Sequence, residues 1–183
     1  MDQAKQAHIR TDAGTDLIMS IDNRTSHILD GIVNGPGTFA AMPDGETAIS
    51  PVEETTDGTL VIEHSMDGIG LLDEPIYLNI VKGRVISIEG GQSAQMLQEL
   101  VDQSDKDANN IAEFAIGTNP KARLVGNLAE DKKLEGSVHI AIGDNHVLGG
   151  KITSNIHLDG MVLNPTVELD GERIISNGKL HLA

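Results

Sequence analysis

SVHIAIGDNHVLGGKITSNIHLDG, residues 137–160, holds two short aliphatic runs, each interrupted on one face by groups that bind metals. Side chains of a strand alternate between its two faces. In the first run Val138, Ile140 and Ile142 share one face, and Ser137, His139 and Ala141 share the other. In the second, Ile156 and Leu158 point one way, while Asn155, His157 and Asp159 point the other. His157 and Asp159 therefore emerge side by side, and His139 stands among small neighbours. A strand histidine that merely faces solvent gives the same local pattern. Gly143-Asp144-Asn145 and Gly149-Gly150 suit ordinary turns, and they equally suit a loop whose backbone passes close to a bound ion.

The rest of the chain bounds these alternatives. Its 183 residues suffice for one domain, with 39% hydrophobic residues and only 2% aromatic ones, so the core is aliphatic. No apolar run is long enough to span a bilayer and no signal-peptide pattern opens the sequence, so a cytoplasmic protein with no membrane contact is expected. With no cysteine, any metal must be held by nitrogen and oxygen. A formal charge of −15 repels phosphate backbones, which argues against a nucleic-acid partner and favours cations.

The pattern along the chain predicts a β-rich α+β domain with mixed or antiparallel strands, hairpins and few helices. Residues 1–10 are expected to be a frayed or helical lead-in, and 11–183 the folded domain. Strands are predicted over 16–21, 47–50, 60–64, 76–81, 84–89 and 111–116, with 22–37 a loop. Lys82-Gly83 between two β-rich runs predicts a hairpin, as does Asp170-Gly171 between 166–169 and 173–175. Residues 93–101 read as a helix with Ser93 as its N-cap. Residues 124–135 show no clear pattern.

Glu113 lies between Ile111 and Ala115 on one face of its strand, opposite Ala112, Phe114 and Ile116. A carboxylate there is costly to bury unless paired or bound to a metal. Glu46 follows the Met42-Pro43-Asp44-Gly45 turn into another extended run. Glu46, Glu113, His139, His157 and Asp159 together offer two imidazoles and three carboxylates. That set suits two divalent ions sharing a carboxylate, as in hydrolases, or one His-His-carboxylate triad, as in non-haem iron oxygenases.

GETAISP, AEFAIGTNP, GSVHIAIGDN and IHLDG, in that order, resemble the C-terminal half of the thermophilic metallopeptidases of the aminopeptidase T type. The resemblance runs from about residue 11 onwards. It implies two metal ions held by Glu46, Glu113, His139, His157 and Asp159, the residues already singled out by strand facing. The family's large N-terminal domain has no counterpart here. Its tyrosine after the third motif is replaced by Asp144-Asn145-His146, and Tyr77 is the only tyrosine. A related branch, similar to the 2,5-dihydroxypyridine dioxygenases, uses iron.

Three functions follow from these readings. The first is an aminopeptidase-like hydrolase using Zn, Co or Mn on a small or short-peptide substrate. There His146 and Glu54, or Glu53, would move the proton. The second is a mononuclear Fe(II) ring-cleaving dioxygenase on His139, His157 and Asp159, and the third is a non-catalytic module. A domain without its usual neighbour exposes apolar surface, so a homo-oligomer or a partner chain is expected.

Overall fold

The alternation of aliphatic and polar residues that marks strands in the sequence is the alternation the chain uses to build two sheets around one core. In β8 (Ile76–Val81), Ile76, Leu78 and Ile80 are buried while Tyr77, Asn79 and Val81 face out. The computed structural model describes residues 1–181.

The first sheet has eight strands: β1 (Gln6–Arg10), β2 (Asp16–Ser20), β5 (Asp57–Ile62), β8, β9 (Arg84–Glu89), β13 (Thr166–Leu169), β14 (Glu172–Ser176) and β15 (Lys179–Leu180), in the order β15-β14-β13-β1-β2-β5-β8-β9. The second has seven: β3 (His27–Leu29), β4 (Glu46–Ile49), β6 (Ser65–Met66), β7 (Gly70–Leu71), β10 (Ile111–Gly117), β11 (Val138–Gly143) and β12 (His157–Val162), in the order β3-β4-β10-β11-β12-β6-β7. The strand pairs are antiparallel. Parallel pairing among the described residues is confined to an isolated bridge between Asn119 and Leu134.

The two sheets face each other across one core. Ile9, Leu17, Met19, Leu60, Leu78 and Val167 of the first meet Ile49, Phe114, Ile116, Val138, Ile140, Ile142 and Val162 of the second. After β5 the chain crosses between sheets, where the Glu63 amide donates to the Met161 carbonyl, and it then forms β6 beside β12. Both predicted hairpins form, β8–β9 and β13–β14. No helix of the described residues is long and apolar enough to cross a membrane.

Several expectations change. Gln6–Arg10 is a strand between β2 and β13, where Ala7 and Ile9 are fully buried. Local polarity hid this, because only two apolar side chains of that segment meet the core. The predicted loop 22–37 contains the short edge strand β3.

The predicted helix is α1 (Gln92–Asp102), but Ser93 is not its N-cap; Gly91 is. Asp73, from outside the helix, accepts hydrogen bonds from the Gln92 amide, the Ser93 amide and the Ser93 hydroxyl, which satisfies free amides of the first turn. Those bonds hold its carboxyl down at about 2. The patternless stretch holds a short helix, α2 (Leu128–Asp131), capped by the Asn127 side chain on the Ala129 amide.

β10 also departs from simple alternation. A bulge lies between Ile111 and Glu113, so Ile111 turns into the core with Phe114 and Ile116 rather than sharing a face with Glu113.

Candidate metal centre

The front face of the second sheet, the side away from the core, carries the polar groups. Ala141 of β11 is flanked by Glu113 on β10 and by Asp159 on β12. The neighbouring backbones stand about 4.8 Å from the central strand on either side. The two carboxylates lean towards each other over a single methyl group, and that is the space the small residue leaves. His139, two residues along β11, lies between Ala115 and Met161. His157 stands opposite Gly143, and Glu46 opposite Gly117.

Glu113, His157 and Asp159 each offer a ligand atom, and these atoms lie within 4.8 Å of one another. His157 Nε2 is 3.0 Å from Glu113 Oε2 and 3.3 Å from Asp159 Oδ1. His139 Nε2 is 3.2 Å from Glu113 Oε1 and 3.6 Å from Glu46 Oε2. All five residues are therefore linked, with Glu113 the common partner of both imidazoles.

Burial is deep for four of them, His139 being fully inaccessible, while the His157 side chain is 30% exposed and marks the open side. Two carboxylate oxygens, Glu46 Oε2 and Asp159 Oδ1, are buried with no hydrogen-bond donor. Buried oxygens of that kind ordinarily have a partner, and a hard cation would supply one. The hard N/O donors and the unpartnered oxygens fit a divalent ion.

The front face has a roof that the sequence did not announce. Residues 118–136 fold over it and bring in two lysines. Lys132 Nζ is 2.6 Å from Asp159 Oδ2. Lys133, 2% exposed, places Nζ 2.5 Å from Glu46 Oε1 and 3.2 Å from Asp44 Oδ1. Asn119 fastens the same roof by donating its side-chain amide to the Asp44 carbonyl at 2.7 Å. The roof lies directly on Gly117, where a Cβ would sit 2.1 Å from the Leu134 carbonyl oxygen. Glycine is required there because backbone passes over backbone.

These neighbours set the protonation of the cluster. Burial pushes the Glu113 carboxyl up, but hydrogen bonds from His139 and His157 outweigh it and hold the group at about 2. Burial acts on Asp159 in the same sense, and the positive charges of His139, His157 and Lys132 overcome it and hold Asp159 ionised. Burial alone would lower His157, yet Asp159, Glu113 and the Asp144 carbonyl raise it to about 11. His139 is raised by the same two carboxylates against its own burial, and Lys132 is raised chiefly by Asp159 and Glu46 against its own. Asp67, on the segment after β6, is raised by burial and by the charge of Asp159.

The residues expected to move protons stand apart from this cluster. His146 opens an exposed 3-10 turn, and its amide donates to the Asp144 carboxylate. Glu54 is exposed on a turn at φ 63°. Neither side chain has a hydrogen bond to the cluster among the described residues. Glu53 is tied to Arg24, Asn145 and Lys151.

Fold and site together define a β-sandwich domain with an imidazole–carboxylate centre on the outer face of one sheet. The family model described as 2,5-dihydroxypyridine 5,6-dioxygenase (NicX) matches residues 1–182, and the chain belongs to that family. It is 25% identical over 189 residues to the 2,5-dihydroxypyridine 5,6-dioxygenase of Pseudomonas putida, covering 96% of this chain and 54% of the relative. Aminopeptidase AmpS of Bacillus subtilis is also 25% identical, over 186 residues, covering 91% of this chain and 45% of the relative.

Among solved structures, the Pseudomonas putida dioxygenase superposes with a TM-score of 0.89 at 24% identity, over 100% of this chain and 56% of that one. AmpT from Thermus thermophilus superposes with a TM-score of 0.80 at 21% identity, over 98% of this chain and 50% of that one. These superpositions establish the fold. The chain spans about half the length of the curated relatives it matches.

Proposed function

We propose that this chain carries a mononuclear non-haem iron centre serving ring-opening dioxygenation of a dihydroxypyridine-type substrate. The observation that carries the mononuclear reading is Lys133. Its buried ammonium is paired with both Glu46 and Asp44, at the place where a second metal ion would need Glu46 as a ligand. Four linked carboxylates, Asp44, Glu46, Glu113 and Asp159, face two ammonium groups, Lys132 and Lys133. The carboxylates outnumber the ammonium groups, and that excess favours a bound cation. Family membership supports the dioxygenase over the aminopeptidase, although the two curated relatives are equally similar in identity.

Glu113, His157 and Asp159 would hold the ion, with His139 adjacent through Nε2. Iron(II), when bound, supplies the one-electron chemistry that makes O₂ reactive towards an aromatic ring. The protein's own residues arrange the surroundings. The Asp144 carbonyl accepts from His157 Nδ1 at 2.7 Å, leaving Nε2 to face the carboxylates. Lys132 holds Asp159 and places a positive charge near the open side, where an ionised ring hydroxyl would be drawn. The roof keeps water from the far side of the cluster.

The aminopeptidase reading keeps one specific support, the unpartnered Oε2 of Glu46 beside His139. Activity separates the two. Iron-loaded chain should consume oxygen with 2,5-dihydroxypyridine and form a product carrying both atoms of labelled O₂. Zinc- or cobalt-loaded chain should leave aminoacyl anilides intact. Hydrolysis without oxygen uptake would overturn the proposal, and no turnover of either would favour the non-catalytic module.

A further inference from the structure

Glu53 and Asn145 form a network that neither the candidate ligands nor the roof requires. Glu53 Oε1 accepts from Asn145 Nδ2 at 3.0 Å and from the Lys151 amide at 2.7 Å, while Oε2 accepts from Arg24 Nη2 at 2.5 Å. Arg24 Nη1 reaches on to the Gly149 carbonyl at 2.7 Å. Asn145 is fully buried, and its Oδ1 accepts from the Ile152 amide at 2.8 Å. The loop closes so tightly on this amide that a Cβ at Gly150 would lie 2.0–2.2 Å from its atoms. Residues 145–152 are thus wrapped around one buried side chain and fastened to β4's exit by one carboxylate.

The residue that precedes this wrapped loop is Asp144. Its carbonyl accepts from His157 Nδ1, and its amide donates to the Ile156 carbonyl at 2.8 Å. The partner of the distal ring nitrogen fixes which nitrogen of a histidine faces a metal. Holding the loop holds that carbonyl, and the carbonyl orients the imidazole. We propose that Glu53 is a positioning residue for His157, acting through Asn145 and the 145–152 loop. This inference rests on the metal-centre reading for its consequence in metal affinity, but its effect on the ring of His157 stands without it.

Two measurements on the full chain test it. In the metal-free protein, NMR should show the Nδ1–H proton of His157 protected from exchange in wild type. Protection should be lost in Glu53→Ala and kept in Glu168→Ala, which breaks an ion pair on the other sheet. Cobalt(II) titration should show affinity about 10–100-fold weaker in Glu53→Ala, with part of it recovered in Glu53→Gln, whose one amide oxygen can still accept from Asn145 and the Lys151 amide but leaves Arg24 without its acceptor. Should Glu53→Ala fail to fold, Arg24→Met, which frees Gly149 and one oxygen of Glu53, should give the same signs. A variant that melts earlier yet keeps the protected proton and the cobalt affinity would overturn the proposal. Absence of cobalt binding in wild type would count against the metal-centre reading instead, and the NMR comparison would still decide the role of Glu53.

Discussion

Lys133→Met should destabilise the fold by about 3–5 kcal/mol, the usual cost of removing one partner from a buried ion pair. Glu46 and Asp44 are 5% and 9% exposed, so removing the ammonium leaves two carboxylates without their cation in a place water barely reaches. Methionine fills the volume of the lysine stem, so the loss reports charge rather than a void. In a domain of this size the melting temperature should fall by roughly 10 °C. Adding Glu46→Gln to the variant should restore a large part of the difference. Urea unfolding of the two variants beside wild type measures both. A loss below about 1 kcal/mol would mean that the two carboxylates are solvated as a surface pair would be.

Lys132 and Lys133 were also the largest gap in reading the site from the sequence. The clustering of the five candidate residues was legible because side-chain alternation in a strand is rigid, and Glu113, His139, His157 and Asp159 all stand on the polar side of strands. The lysines belong to a roof held mainly by backbone contacts, such as the Asn119 amide on the Lys133 carbonyl, which side-chain patterns do not encode. Charged residues in a patternless stretch read as solvated surface. A Lys-Lys pair in a strongly acidic chain was the one available signal, and it is weak. The bulge at Ile111–Glu113 was hidden for a related reason. Alternation assumes unbroken pairing, and an inserted residue reverses the facing of everything before it. β1 was missed because only Ala7 and Ile9 mark its buried side. The hairpins, in contrast, were fixed by two-residue connections, where Lys82, Gly83, Asp170 and Gly171 all take positive φ.

Asp159→Asn should weaken divalent-metal binding by more than about 100-fold, beyond the usual effect of losing an outer partner. The amide keeps the shape of the carboxylate but lacks its charge. The same change should alter the titration of His157. In the metal-free wild type its imidazolium, raised to about 11 from an ordinary value of 6.5, is favoured by Asp159 and Glu113. A raised pKa contributes stability that is complete below 6.5 and is lost as pH rises towards about 11. In Asp159→Asn the contribution should be smaller and its loss complete at a lower pH, and NMR titration of the ring should show the lowered folded-state value. Metal must also displace the Nε2 proton of His157, so wild type should release at least one proton per ion bound near neutral pH. Calorimetry in buffers of different ionisation enthalpy counts those protons. Unchanged affinity in Asp159→Asn would remove this residue from the ligand set.

The most direct test of the central claim is the metal content of wild-type chain saturated with iron(II) under anaerobic conditions and then freed of excess. A single centre formed by Glu113, His157 and Asp159, with Lys133 occupying the ground beside Glu46, predicts a content close to one ion per chain. That content should be unchanged in Glu46→Gln. A content close to two, falling to one in Glu46→Gln, would contradict it and restore the dinuclear arrangement.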